Sequence, residues 1–366
     1  MAPELKFADT EAEKQAIYRH RYEIYVEEMD RYHGISDHQN RVMIEDVDAG
    51  SRFLYGEEDG DVVGAMRWTW GGDGGFTNRH IEQYMLQPFL DCLPPEQLIV
   101  GERFMVSKDL RGSDLLSRMF VRYMKFCNEN RIQLVFGDCE PHLLNLYQGL
   151  GFRTYSERNI NSAETGYLIP LVLVPEDTAY MQRIKSPITG ALTDFAEHHQ
   201  VPVMLDDLIK GSAVLSERLA QRENYWEGLH EAFRMIGRNK YSLFDDLAQD
   251  VIQPFLDKSN VIDCQHGDRV LKKGNVAQNM FVVLSGELEV RDDDKVLTRL
   301  VRGDLLGEVA FFLNIPRSAD VYAVGDDTSI LSLSETTVRK QIDDDPKVAA
   351  QMMLNISKIL CQKLVG

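Results

Sequence analysis

A chain of 366 residues is longer than one ordinary core supports, so two domains and a connector are expected. Its 44% apolar content excludes wholesale disorder, and no apolar run reaches the length of a membrane span. A formal net charge of −18 argues against a general nucleic-acid binder, which needs clustered Lys and Arg, so any anionic ligand must be held by a local pocket.

The opening MAPELKFADTEAEKQ is too acidic for a secretory signal and lacks an apolar core. Cys92, Cys127, Cys139, Cys264 and Cys361 are scattered with no CxxC pair, which reads as reduced thiols in a cytoplasmic protein. Residues 11–30 predict an amphipathic helix, with Ile17, Tyr18, Tyr22, Tyr25 and Met29 on one side. Strands are expected at 51–55 and 62–70, and Gly71–Gly75 reads as a loop. Further strands are expected at 98–106, 134–138 and 166–174. Between them lie helices at 113–130 and 141–150. This alternation gives an α+β domain over residues 1–178, with a mixed sheet and helices. Residues 179–240 read as a helical connector, with helices expected at 189–198 and 205–230, and a further helix at 241–256 precedes the β runs of the next domain. Short β runs follow at 269–271, 280–284, 288–291 and 296–300, and the chain closes on a helix at 347–364.

The segment Gly307-Glu308-Val309-Ala310-Phe311-Phe312-Leu313, followed by Ile315-Pro316-Arg317-Ser318-Ala319, has the chemistry of an anion cradle. Gly307 lets the backbone approach a ligand closely. A short helix after it would turn N–H groups toward an anion. Arg317 offers a planar fork suited to a phosphate diester, and Glu308 an acceptor for a sugar hydroxyl. A carboxylate beside a phosphate is unfavourable unless it faces such a donor, so the pairing points to a sugar phosphate.

This segment closely resembles the phosphate-binding cassette of the cyclic-nucleotide-binding domain family. The likeness extends upstream to Gly274, VVLSGELEV (282–290) and Arg302-Gly303-Asp304-Leu305-Leu306, and covers residues 241–366. It implies a β-barrel of jelly-roll type with a lid-like closing helix. Glu308 would bind the ribose 2′-hydroxyl and Arg317 the cyclic phosphate. Gly307, Val309, Ala310, Ser318 and Ala319 would be the other cassette contacts. Cyclic AMP is the allosteric ligand it implies, with Ser318 leaving cyclic GMP open. Regulators of the catabolite-activator type carry a helix-turn-helix after the closing helix. None is found here, which argues against a transcription factor and puts the output upstream.

In the N-terminal domain, Phe104–Gly112 leads into the amphipathic helix, and Leu146-Tyr147-Gln148-Gly149-Leu150-Gly151-Phe152 follows. Together they resemble the GNAT acyltransferase core. There the first is the strand, loop and helix start that cradles the donor's phosphate arm, which implies donor contacts at Val106, Arg111, Gly112 and Ser113. Tyr147 would protonate the departing thiolate. The run Arg111-Gly112-Ser113-Asp114-Leu115-Leu116 lacks the later small residues of the family's pyrophosphate loop. Arg21, Arg67 and Arg103, with Asp46 and Asp48 near the acidic cluster, look like the branch containing acyl-homoserine-lactone synthases and N-acyl amino acid synthases, which implies donor or substrate contacts at these three arginines. That branch commonly draws acyl chains from acyl carrier protein, whose single phosphate would tolerate the altered loop. Arg118, Arg122 and Lys125 form a stripe on the helix that could dock a carrier or simply face solvent. Glu102 could be a general base if its pKa were raised, or an ion-pair partner of Arg67 or Arg103.

The expected function is a cyclic-nucleotide-regulated N-acyltransferase moving an acyl group from acyl-CoA or acyl carrier protein to a small amine such as an amino acid. Two alternatives stand beside it: a cyclic-AMP-regulated protein lysine acetyltransferase, and a nucleotide sensor with a non-catalytic transferase-like domain. His20, His33, His38 and His80 show no metal-ligand spacing. A homodimer is compatible with the sequence.

Overall fold

The computed structural model describes residues 2–156, 159–162, 164–192, 241–248, 251–252, 260–275, 279–293, 295–313, 315–325 and 327–365. Their contacts divide into two compact units. The first takes the described residues of 1–138 and 146–155 and those from 170 to 192; the second takes those of 139–145, 156–169 and 241–365.

The first unit begins with β1 (Glu4–Phe7) and α1 (Glu11–Tyr22). Thr10 and Glu13 form a reciprocal capping box that starts this helix where its apolar side begins. The single helix expected over 11–30 is instead α1 followed by a π-helical turn over Glu23–Glu28. The wider turn keeps Ile24 and Val26 buried, and such turns gather at functional sites. Then come β2 (Ser36–Asp37), β3 (Val42–Met43), β4 (Arg52–Glu58), β5 (Asp61–Trp70), α2 (Asn78–Gln83) and α3 (Gln87–Leu90). β6 (Leu98–Val106), α4 (Leu115–Glu129), β7 (Leu134–Cys139), α5 (Leu144–Leu150) and β8 (Arg153–Thr154) follow. β9 (Ile160–Ser162) and β10 (Gly166–Leu173) lead to α6 (Thr178–Arg183).

The main sheet runs β1-β4-β5-β6-β7-β10-β8. Its β1 to β6 pairings are antiparallel, and β6 lies parallel to β7. α4 buries Leu115, Met119, Phe120, Tyr123, Met124, Phe126 and Cys127. A Cβ at Gly64 would sit 3.2 Å from Leu115 and 3.3 Å from the Met119 sulfur, so glycine lets this helix approach the sheet closely. Trp68 is fully buried among Phe7, Tyr123 and Phe126, which contributes on the order of 2–3 kcal/mol.

In the second unit, β11 (Asn260–Cys264), β12 (Arg269–Leu271), β13 (Asn279–Ser285), β14 (Glu287–Asp292) and β15 (Lys295–Val301) precede β16 (Leu305–Leu306) and α7 (Glu308–Leu313). β17 (Asp320–Ala323), β18 (Thr328–Ser334), α8 (Glu335–Asp344) and α9 (Pro346–Val365) complete it. The strands form two four-stranded sheets, β11-β18-β13-β16 and β12-β17-β14-β15. Two sheets are the form a jelly roll takes, as expected, and they do not close into one barrel. The strands expected at 280–284, 288–291 and 296–300 are present and slightly longer, whereas β17 and β18 were not anticipated. One core joins Met280, Val282, Leu284, Leu331 and Leu333 to Met352, Ile356 and Ile359 of α9.

The helix expected at 189–198 shows a 3₁₀ turn at Thr189–Ala191, and the remainder lies outside the described residues, as does the one expected at 205–230. Over 241–256 the described residues show a turn and then helix at 251–252.

Candidate functional sites

The cassette lies at the end of β16. Gly307 has φ +77, and a Cβ there would fall 2.4 Å from Arg317 Nη1. Both the backbone conformation and the approach of the guanidinium exclude other residues. Arg317 is buried; its Nη1 donates to the Gly307 carbonyl at 2.5 Å and its Nη2 to Asn279 Oδ1 at 2.8 Å and to the Asn279 carbonyl. Its backbone is clamped as well. The Arg317 N–H donates to the Asn275 carbonyl at 2.9 Å, and its own carbonyl accepts from Gly274 at 2.8 Å. Glu308, buried at the start of α7, accepts from Lys363 Nζ of α9 at 2.9 Å. The same ammonium donates to the Leu305 carbonyl at 2.6 Å. Val309 and Ser318 are exposed, Ala310 is buried, and Ala319 is half-buried.

These residues line a cavity of about 610 Å³, with Leu271, Val290, Leu300, Val321 and Lys363 on its walls. That volume lies in the range of small-ligand sites. It brings together all seven cassette residues expected from the sequence. Lys363 was not anticipated. Only its place in the closing helix pointed to it.

Still within the second unit, the β9–β10 hairpin is hydrogen-bonded to the segment that backs Arg317. Asn161 accepts from the Arg269 N–H at 2.9 Å, and Arg269 donates to the Ser162 carbonyl at 2.6 Å. Asn275, whose carbonyl holds the Arg317 N–H, donates to the Thr165 carbonyl at 2.9 Å.

The second candidate site is a charge cluster inside the first unit. Arg67 Nη1 donates to Glu45 and to Asp48 at 2.8 Å each, and Nη2 to Glu102 at 2.8 Å. Arg21 donates to Asp48 at 2.7 Å. Arg103 grips Glu45 with two bonds of 2.6 Å and donates to the Tyr32 hydroxyl at 2.7 Å. Arg21 and Arg67 are fully buried. Three guanidiniums thus face three carboxylates, with half-exposed Arg79 3.8 Å from Glu45 at the edge.

The sheet helps to shape this cluster. Along β5–β6 the register slips between Ala65 opposite Met105 and Arg67 opposite Glu102, and Arg103 sits at φ +54. This bulge re-aims the Arg103 side chain. Two of the three carboxylates, Glu45 and Asp48, cap one 3₁₀ turn; Asp46, expected nearby, makes no bond in this cluster, and Glu45 replaces it.

Burial alone would raise the pKa of Glu102. The Arg67 guanidinium, a hydrogen bond with His80 at 3.3 Å and the charge of Arg103 outweigh burial and hold this carboxyl well below the usual range. Glu102 is therefore a poor proton acceptor, and its expected role as general base is corrected to that of an ion-pair partner. Burial likewise opposes ionisation of Glu45, but Arg103, Arg67 and Arg21 bring it down to about 2.

At the entry to α4, Arg111 forms two bonds with Glu28, at 2.5 and 2.9 Å, and donates to the Val106 carbonyl at 3.1 Å. Gly112 has φ +85, and Ser113 donates to the Leu110 carbonyl. Of the basic stripe, Arg118 donates to the Pro3 carbonyl at 2.7 Å and Arg122 covers the Phe7 ring at 4.6 Å, so two of its three members pack on their own chain. Tyr147 is half-buried, with its ring against Phe120 and Phe152.

No group of three or more metal-ligating side chains occurs among the described residues, and no helix among them is long and apolar enough to cross a membrane.

The family model for the cyclic nucleotide-binding domain matches residues 261–345. The cAMP-dependent protein kinase regulatory subunit of Debaryomyces hansenii is 42% identical over 67 residues, 18% of this chain and 14% of that protein. The chain thus spans about a seventh of that relative. A solved cyclic nucleotide-binding domain from Methylobacillus flagellatus KT is similar at 20% identity with a TM-score of 0.34, covering 38% of this chain and 79% of that one. The CoA-dependent acyl-homoserine lactone synthase BjaI is similar at 16% identity with a TM-score of 0.40, covering 51% of this chain and 91% of that one.

Proposed function

We propose, from the premise that residues 261–345 form a cyclic nucleotide-binding domain, that the chain is an N-acyltransferase whose rate is set by a cyclic nucleotide. The observation that carries the regulatory half is the cavity that holds Glu308 and Arg317 in its lining together. A cyclic phosphate would take guanidinium hydrogens that now go to the carbonyls of Gly307 and Asn279. A ribose hydroxyl would take the place of Lys363 on Glu308. Both exchanges replace internal hydrogen bonds with ligand ones, and the second frees α9 from the cassette. Cyclic AMP is the proposed ligand.

The transferase half rests on the motifs of the first unit and on the bulge at Arg103. The acyl carbon of a thioester would pass to an amine nitrogen, and Tyr147 would give the departing sulfur its proton. Arg21, Arg67 and Arg103 act by fixing the strand ends, since their charges are spent on Glu45, Asp48 and Glu102. The Arg111–Glu28 pair would have to open for a phosphate of the donor arm to use Arg111. Acyl-CoA and acyl carrier protein both remain candidate donors, with a small amine such as an amino acid as acceptor.

Thiol release from acyl-CoA and acyl-carrier donors of several chain lengths, with pooled amino acids as acceptor, tests the reading. Turnover with an amide product supports it, and absence of turnover with every donor sinks it. Tyr147→Phe should lower the rate of thiol release by about 100-fold with the fold intact. An unchanged rate removes Tyr147 from the mechanism.

A further inference from the structure

Resting on the transferase reading above, we infer that Asp138, at the end of β7 and outside the neutralised cluster, is the general base that takes a proton from the acceptor amine. β6 and β7 run parallel, with Ile99 beside Val135 and Val100 beside Phe136. The ladder ends there, one residue before Gly101 and Gly137. A Cβ on Gly137 would lie 3.2 Å from the Gly101 carbonyl, so the strands are close just before the two carboxylates. The Tyr84 hydroxyl joins them, donating to Asp138 at 2.6 Å and lying 3.3 Å from Glu102 Oε1.

The two acids then differ in company. Glu102 bonds Arg67 and His80, whereas among the described residues Asp138 bonds neutral donors, Tyr84 and, at 3.5 Å, the Gln83 amide. The groups that bear on Asp138 are Tyr84 and Gln83 from α2 and its C-terminal cap, Glu102 and Arg103 from β6, and Tyr155 just after β8. Burial pushes the Asp138 carboxyl up to about 6; the Tyr84 bond and Arg103 oppose the shift, and Glu102 adds to it. A carboxylate in this state can accept a proton nearer neutrality than Glu102, which Arg67 and His80 hold in the ionised form.

In the step itself, the ammonium form of the acceptor gives one proton to Asp138. The freed lone pair attacks the thioester carbon, the C–N bond forms and the C–S bond breaks. The sulfur leaves with the bond pair and takes the Tyr147 proton. The nitrogen loses its second proton to the Tyr147 phenolate, and Asp138 releases its proton to water. The products are an amide, a thiol and one proton.

The test is the pH profile of thiol release by the full chain, using the donor that supports turnover. Wild type should gain activity as pH rises through about 6. Asp138→Asn should lose about 100-fold in kcat and lose that limb, with KM for the donor little changed. Tyr84→Phe removes a donor that favours the ionised acid, so it should move the limb upward by about one pH unit. This second variant keeps the test open should Asp138→Asn fail to fold. An unmoved limb in Tyr84→Phe, or full activity in Asp138→Asn, overturns the assignment. A wild type that releases no thiol from any donor overturns the transferase reading and this base with it.

Discussion

The charge cluster of the first unit and the cassette of the second use the same chemistry, guanidinium against oxygen, to opposite ends. In the cluster every guanidinium meets a carboxylate, although Arg21 Nε and Nη2 and Arg67 Nε are buried without a hydrogen-bond partner among the described residues. In the cassette Arg317 donates to carbonyl and amide oxygens, and Glu308 is held by a lysine on a separate helix beside an open cavity. A site whose charges pair internally fixes a shape. A site held by exchangeable partners can answer to a ligand.

The largest test of that contrast is Arg67→Met. It strands Glu45, Asp48 and Glu102 without their shared cation, and removing one partner of such a buried set costs about 3–5 kcal/mol. The denaturant midpoint should fall accordingly; an unchanged midpoint would mean that the cluster does not hold the fold. Acid probes the same cluster without mutation. The Glu45 carboxyl is depressed from 4.5 to about 2, so the stability it lends is present above about pH 4.5 and is lost as pH falls toward 2. Its share is on the order of 3 kcal/mol. Unfolding midpoints measured between pH 5 and 2 should decline across that window.

For the cassette, Arg317→Glu should weaken cyclic AMP binding at least 10- to 100-fold by calorimetry, since a charge-assisted contact is worth about 1.5–3 kcal/mol and repulsion adds to its loss. Wild-type affinity in this variant would remove the cassette assignment. The smallest effect is expected for Lys363→Met. Its pair with Glu308 is about a third exposed on the lysine side, and such pairs contribute about 1 kcal/mol or less. The melting temperature should move by only a few degrees. A collapse of the fold would place Lys363 with the structural ion pairs and end the contrast.

The cassette was legible in the sequence because Gly307 to Ala319 is one contiguous run whose residue types and order carry the chemistry. The cluster was legible only in part. Arg21, Arg67, Arg103 and Glu102 could be named, but their partners come from separate elements: Glu45 and Asp48 from a 3₁₀ turn, His80 from α2 and Tyr84 at its end. No local period links such positions. A signal for α2 existed in Thr77, which caps it, but the adjoining glycine-rich loop masked it. The two roles open to Glu102 could not be told apart from sequence, because its pKa depends on charges that only the fold brings near. Asp138 was invisible for the same reason. The jelly-roll form of the second unit was legible through the resemblance, but β17 and β18 were not, because no strong local alternation marks them.

The central claim is that nucleotide in the cassette sets the rate of acyl transfer. Its most direct measurement is thiol release by the full chain, titrated with cyclic AMP in wild type and in Arg317→Glu. The account predicts a saturable change of about 5- to 150-fold in wild type, the range of ordinary coupling energies, and none in the variant. A wild type that binds cyclic AMP, turns over thioester and keeps the same rate throughout the titration would contradict it.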